Sequence, residues 1–150
     1  MLAPAFYPVG CCYLSLRRAF LELGGYDDLF APFLWEYVDL GYRAWRRGLR
    51  ILHDPEAVCH HEGSTTLKER HSPEARERLS FRNRVLFHLK NVRDAGRRAE
   101  VFGALAAYAL FETLESRRLG LADAVARAPG ASGDADDGLD DAAILERIAP

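Results

Sequence analysis

Apolar positions fall into two regimes along this chain. Between residues 5 and 60 they form short runs cut by Gly, Pro and aromatic-rich loops, and from Ser72 onward they recur at helical spacing. The segment 5–14 reads as extended apolar chain interrupted at Gly10, after which Ser15 caps a short helix, Leu16 to Leu23, closed by Gly24-Gly25. Tyr26 to Leu34 is a loop anchored by Tyr26, Phe30 and Phe33, with Pro32 inside it. A second helix is predicted from Glu36 to Arg47, ended by Gly48, with Arg46 and Arg47 suiting the dipole in its last turn. Leu49–Leu52 and Ala57–His60 read as short strands flanking an Asp54-Pro55-Glu56 turn, and the polar stretch from Glu62 to His71 as a loop. Ser72-Pro73-Glu74 is a strong helix start, and the stripe Leu79, Phe81, Val85, Leu86, Phe87 and Leu89 carries that helix to about Asn91. Further helices are predicted over Arg98–Arg118 and Leu121–Arg127, and Asp140 caps a last one, Ala142–Ile148. Pro129 to Asp137, rich in Gly, Ala and Asp, reads as disordered.

The 150 residues suffice for one core, and a 49% hydrophobic content excludes a wholly disordered chain. A net charge of −2 excludes a globally basic nucleic-acid binder, so no nucleic-acid partner is expected. That small net charge hides a split. Residues 43–98 hold 14 Lys/Arg and 7 Asp/Glu (net +7), whereas residues 130–150 hold 1 Arg and 6 acids (net −5). The longest apolar run, Val101 to Phe111, falls short of the roughly 20 residues of a spanning helix. Cys11, Cys12 and Cys59 cannot all pair within the chain, and no signal peptide is visible; both point to reduced thiols in a cytoplasmic setting. There is no Gly-rich phosphate loop.

Candidate chemistry lies in three stretches: Gly24-Gly25-Tyr26-Asp27-Asp28, Trp35-Glu36-Tyr37-Val38-Asp39 followed by Arg43, and His60-His61-Glu62-Gly63-Ser64-Thr65. Glu36, Asp39 and Arg43 share one helix face. The bland reading is a dipole-compensating pair bridged to Arg43; the functional one is a carboxylate acting as general base toward a hydroxyl, with Trp35 as a flat wall for a sugar ring. His60 is either a rim histidine, a proton carrier or a ligand for a divalent cation, with His61 the fallback. A closed zinc site from Cys11, Cys12, Cys59 and His60 lacks Cys-x2-Cys spacing. Arg82, Arg84, Lys90 and Arg93 read as a solvated helix face or as a basic wall near an anionic substrate or membrane surface.

Taken as an ordered set, these motifs resemble the C-terminal half of family-2, GT-A-type glycosyltransferases. The stretch from Arg17 to Thr66 follows that family's R-x-x-F-x-x-x-GG-F/Y-D-E, acidic E-D-x-D-L helix start, R-x-x-x-x-G, strand, Pro turn and His before a small-residue loop. FRNRVLFHLKN, from Phe81 to Asn91, is similar to a stretch of the rhamnosyltransferase-like branch. The resemblance covers about residues 5–95. It implies an α/β fold, a partial GT-A (Rossmann-like) arrangement of short strands plus a helical C-terminal part. Residues 1–72 would be the acceptor side, 73–128 the C-terminal helices and 129–150 an acidic, disordered tail.

The implied activity is transfer of a sugar from a nucleotide-diphosphate sugar to a saccharide or lipid-linked acceptor hydroxyl in cell-surface polysaccharide or glycolipid synthesis. By position, Glu36 and Asp39 match the catalytic acids, His60 the histidine near the metal, and Gly24, Gly25, Asp27 and Trp35 the acceptor side. A divalent cation, Mg or Mn, is implied, as is a location in the cytoplasm at the inner face of the membrane. Two departures qualify the match. The family's usual base position is Tyr37, a phenol with an ordinary pKa near 10. The donor-binding half with its D-x-D motif is not represented, so the expectation is a half-enzyme that works with an N-terminal half or as a homo-oligomer. The competing expectation is a truncated, inactive saccharide-binding or partner-binding module.

Overall fold

The computed structural model describes residues 1–63, 65–111, 115–128 and 138–149. The expected disorder of Pro129–Asp137 lies outside them, as do residues 112–114 of the expected Arg98–Arg118 helix. The chain is mostly helical with one small antiparallel sheet. It divides into two compact units: Met1–Asp28, Glu36–His61 and Asp134–Pro150 form the first, and Leu29–Trp35 with Glu62–Gly133 the second. The loop before the acidic helix, Leu29–Trp35, belongs with the C-terminal helices.

The first unit contains β1 (Ala3–Pro4), α1 (Arg17–Glu22), α2 (Glu36–Arg46), β2 (Leu52–His53) and, from the far end of the chain, the last helix, Asp141–Ile148. β1 pairs with β2 in the register Ala3 to His53 and Pro4 to Leu52. Ala5 N donates to the Ile51 carbonyl at 3.0 Å, so Pro4 falls at the alternate position, where a strand N–H would face away from β2 and its absence costs the ladder nothing. The strand expected at Leu49–Leu52 is thus displaced, and Ala57–His60 is exposed non-regular chain following an Asx turn at Asp54.

α2 is the hub of this unit. Val38, Leu40, Tyr42, Ala44 and Trp45 are all buried, and the Trp45 indole N–H donates to the Ala5 carbonyl at 3.0 Å. Gly41 lets the N-terminal segment pass: a Cβ there would lie 2.7 Å from Tyr7 Cα and 2.8 Å from the Phe6 oxygen. Gly48, at φ 74°, ends the helix as expected. α1 begins at Arg17 with Leu16 at the N-cap and no side-chain cap, so Ser15 does not play the role its chemistry offered.

The second unit is built on α3 (Thr65–Arg70), α4 (Pro73–Asn91), α5 (Ala95–Phe111) and α6 (Glu115–Arg127). α3 replaces the expected loop; at six residues it has no apolar period to announce it. α4 has the predicted bounds, with Pro73 first and Ser72 Oγ accepting from Ala75 N at 3.2 Å. Phe81, Val85, Leu86 and Phe87 form its core with Phe30, Leu105 and Ala124. Gly120 brings α6 onto α4, where a Cβ would sit 2.6 Å from the Arg78 oxygen.

The acidic tail is more than an appendage. In the first unit, α7 (Asp141–Ile148) is capped by Asp140, which accepts from Ala143 N at 2.7 Å, and Ile144 is 1% exposed. Leu139 N donates to the Arg46 carbonyl at 2.9 Å, and the Tyr42 hydroxyl donates to Asp141. Among the described residues, no helix is long and apolar enough to cross a membrane.

Candidate functional site

The loop before the acidic helix holds an unusual backbone. Leu34 and Trp35 both lie in the left-handed region, with φ of 72° and 74°. Neither is Gly or Asn, and such a conformation costs roughly 1–2 kcal/mol per residue. The Ala31–Pro32 peptide is cis. Within the second unit, α4 supplies the bonds that hold this loop. The Asn83 amide donates to the carbonyls of Phe30 (2.8 Å), Phe33 (2.9 Å) and Leu34 (2.8 Å). Arg82 donates to the Ala31 carbonyl and, through Nε, to Asn83 Oδ1 at 2.9 Å. Both side chains are buried, so Arg82 belongs to neither a solvated face nor a surface wall. Arg84 is exposed, over the Tyr108 ring at 5.8 Å, and the Lys90 ammonium lies 5.5 Å from the Phe30 ring centre.

In the first unit, Glu36 opens α2, where the positive end of the helix dipole favours a carboxylate. Its Oε2 is buried with no hydrogen-bond partner among the described residues. Its charge is felt by two phenols. Burial pushes the Tyr26 hydroxyl pKa up, and Tyr13 and then Glu36 add to the shift. Burial also raises Tyr37, with Tyr7 and Glu36 contributing. The Tyr13 and Tyr26 hydroxyls are 2.6 Å apart, and the Tyr7 and Tyr37 rings 5.5 Å. Glu36 thus sits among side chains that combine a flat apolar face with a hydroxyl, the surface chemistry a saccharide needs. Tyr37, at the position where the resembled family carries its base, remains a neutral phenol.

Asp39 is fully buried and accepts from Arg43 Nε at 2.7 Å. Arg43 also donates to the Leu23 carbonyl and, through Nη2, to the Gly25 carbonyl at 2.7 Å. The shared face of Glu36, Asp39 and Arg43 is therefore split in function. Asp39 orients Arg43, and Arg43 fixes the Gly24-Gly25 turn, whose φ values of 82° and 67° only glycine adopts readily. Arg47 adds a bond to the Glu22 carbonyl. Asp27 follows directly, half-buried.

Trp35, the last residue of the loop before α2, belongs to the second unit, its ring 5.6 Å from Phe87 and 6.3 Å from His88. His60 and His61 are exposed, and Cys59 Sγ lies 4.0 Å from the His60 carbonyl. All three cysteines are free and exposed, and the neighbouring Cys12 thiol pushes Cys59 up. Among the described residues, no group of three or more His, Cys, Asp and Glu side chains is placed to hold a metal ion.

Sequence reading singled out the helix start but not Tyr13, and it gave Asn83 no role. Asn83 had a signal: an amide in the middle of an apolar stripe is out of place unless its hydrogen bonds are met. Tyr13 had none. No family model, curated protein or solved structure matches this chain.

Proposed function

We propose that this chain is the acceptor side of a GT-A-type glycosyltransferase, with Glu36 as the general base. The observation that carries the reading is the Glu36 carboxylate, which opens α2 with a buried oxygen that has no hydrogen-bond partner among the described residues and whose charge adds to the upward shifts of Tyr26 and Tyr37. Buried carboxylate oxygens are ordinarily hydrogen-bonded, and one without a partner is available to an acceptor hydroxyl. The ordered motifs from Arg17 to Asn91 support the same reading. In the step itself, Glu36 takes the hydroxyl proton as the acceptor oxygen bonds to the donor sugar's anomeric carbon. The bond from that carbon to the diphosphate breaks, and the nucleoside diphosphate leaves with the bonding pair. Asp39 and Arg43 hold the Gly24-Gly25 turn in place, and the Tyr13–Tyr26 pair offers hydroxyls to the acceptor. Donor and cation are the contribution of a partner segment carrying a D-x-D motif; His60 is the residue of this chain we assign to the diphosphate side.

The test is co-expression with such a donor-binding segment and assay of nucleoside diphosphate release from nucleotide-hexoses in the presence of saccharide acceptors. Turnover is expected, falling about 10²–10⁴-fold in Glu36→Gln while acceptor binding persists. Full activity of Glu36→Gln overturns the assignment. A second reading, a saccharide-binding module without turnover, is favoured by one observation, the neutral phenol of Tyr37. It predicts saccharide-dependent NMR shifts at Tyr13, Tyr26 and Tyr37 and no turnover with any donor segment.

A further inference from the structure

A second concentration of charge lies wholly within the second unit. Ala75, Arg78, Leu79 and Arg82 of α4 recur at i, i+3, i+4 and i+7, so they share one face. With Asp123 and Arg127 of α6 they line an open cavity of about 360 Å³. That is within the range of small-ligand sites, about 300–1,000 Å³.

The charges in this cavity do not balance. Arg78 grips both oxygens of Asp123, at 2.6 and 2.9 Å, and this guanidinium holds the Asp123 carboxyl below its usual range. Arg82 and Arg127 act on the same carboxylate, so among the described lining residues three guanidiniums share one acid. Arg82 is 4% exposed, and its hydrogen bonds go to two neutral oxygens, Asn83 Oδ1 and the Ala31 carbonyl. Burial lowers its pKa, and the repulsion of Arg127 lowers it further. A buried cation facing another cation is costly, and an anion between them removes the cost. Guanidinium groups hold phosphate oxygens in paired, fork-like bonds, which a point cation does not.

We propose that this cavity is a binding site for a small phosphate dianion, an ortho- or diphosphate group clasped between Arg82 and Arg127, with the Arg78–Asp123 pair as its fixed wall. The cavity exceeds a single phosphate in size, so a diphosphate or a phosphorylated small molecule suits it better than orthophosphate. The proposal shares no residue with the Glu36 site, and its failure leaves that reading untouched.

Isothermal titration and thermal melting of the full chain with sodium pyrophosphate and sodium phosphate, against sodium chloride at matched ionic strength, test it. Pyrophosphate is expected to bind and to raise the melting temperature, more strongly than phosphate. Arg127→Ala, an exposed position, should weaken pyrophosphate about tenfold, the loss of one charge-assisted contact, while melting normally without ligand. Arg84→Ala, which removes an α4 cation that does not line the cavity, should bind like the parent chain. Sedimentation with phosphatidylglycerol vesicles separates the sources: vesicle binding that pyrophosphate displaces and Arg127→Ala abolishes makes a lipid headgroup the natural phosphate. No pyrophosphate binding, equal binding by Arg127→Ala, or equal loss in Arg84→Ala overturns the proposal.

Discussion

Asn83 and Arg43 do comparable work by opposite means. Each is a side chain on a helix that collects carbonyls from an irregular turn. Asn83 is fully buried and gathers Phe30, Phe33 and Leu34; Arg43, braced by Asp39, gathers Leu23 and Gly25. Asn83→Leu keeps the shape but leaves those carbonyls unmet, and should cost about 2–3 kcal/mol in urea unfolding. Arg43→Leu removes a bond from the buried Asp39 as well as two from the glycine turn, and a loss of about 3 kcal/mol is expected. A third residue sets a pH dependence. His88 Nδ1 is buried without a hydrogen-bond partner among the described residues, and burial, then Arg84, pushes its pKa down to about 4. The unfolded chain has an ordinary value near 6.5 and takes up the proton first as the pH falls. Stability that is fully present above about pH 6.5 is therefore lost progressively toward about pH 4. Urea midpoints at about pH 7 and about pH 5 should separate for the parent chain and draw together in His88→Phe. Of these residues, the Asp39–Arg43 pair was legible from its i, i+4 spacing. The partners of Asn83 were not, because they lie some fifty residues away, and neither was the burial of His88, which packing decides.

Elements with their own punctuation appear where the sequence puts them. α4 begins at Pro73 behind a capping Ser72, α2 runs from Glu36 to the glycine at 48, and α7 follows Asp140. Elements that depend on a partner do not. The two-residue sheet is decided by where Ala3–Pro4 meets Leu52–His53, and no alternation of residues 49–60 encodes that meeting. Helices also carry packing requirements that propensity hides. Gly41 is a poor helix residue, yet its place under Tyr7 and Phe6 demands it. Gly41→Ala should lower stability by about 1–3 kcal/mol, despite better helix propensity, because the added methyl meets backbone that cannot yield. Differential scanning calorimetry checks the sign, and an increase in melting temperature would show that the N-terminal segment does not lie there.

For the whole molecule, the segments of each unit come from distant parts of the chain. The N-terminal residues, α2 and the acidic tail form one unit, and the loop 29–35 joins the C-terminal helices in the other. α7 contributes a fully buried side chain to its unit, so Ile144→Ala is expected to cost about 2–5 kcal/mol, read as a lower urea midpoint. A disordered appendage would lose nothing.

Local chemistry in the sequence alone determined α2, α4 and α7, the caps at Ser72 and Asp140, the glycine turn and the acid at the start of α2, since each rests on residues within a few positions of one another; it did not place the boundary between α5 and α6. Tertiary structure decided the rest. It gave Asp39 to Arg43 and left Glu36 Oε2 buried with no hydrogen-bond partner among the described residues; it drew Arg82 into the interior beside Asn83, and docked the tail through Ile144. Those outcomes turn on burial and on partners remote in sequence, and a charge read along the chain is the same whether it ends in water or in a core.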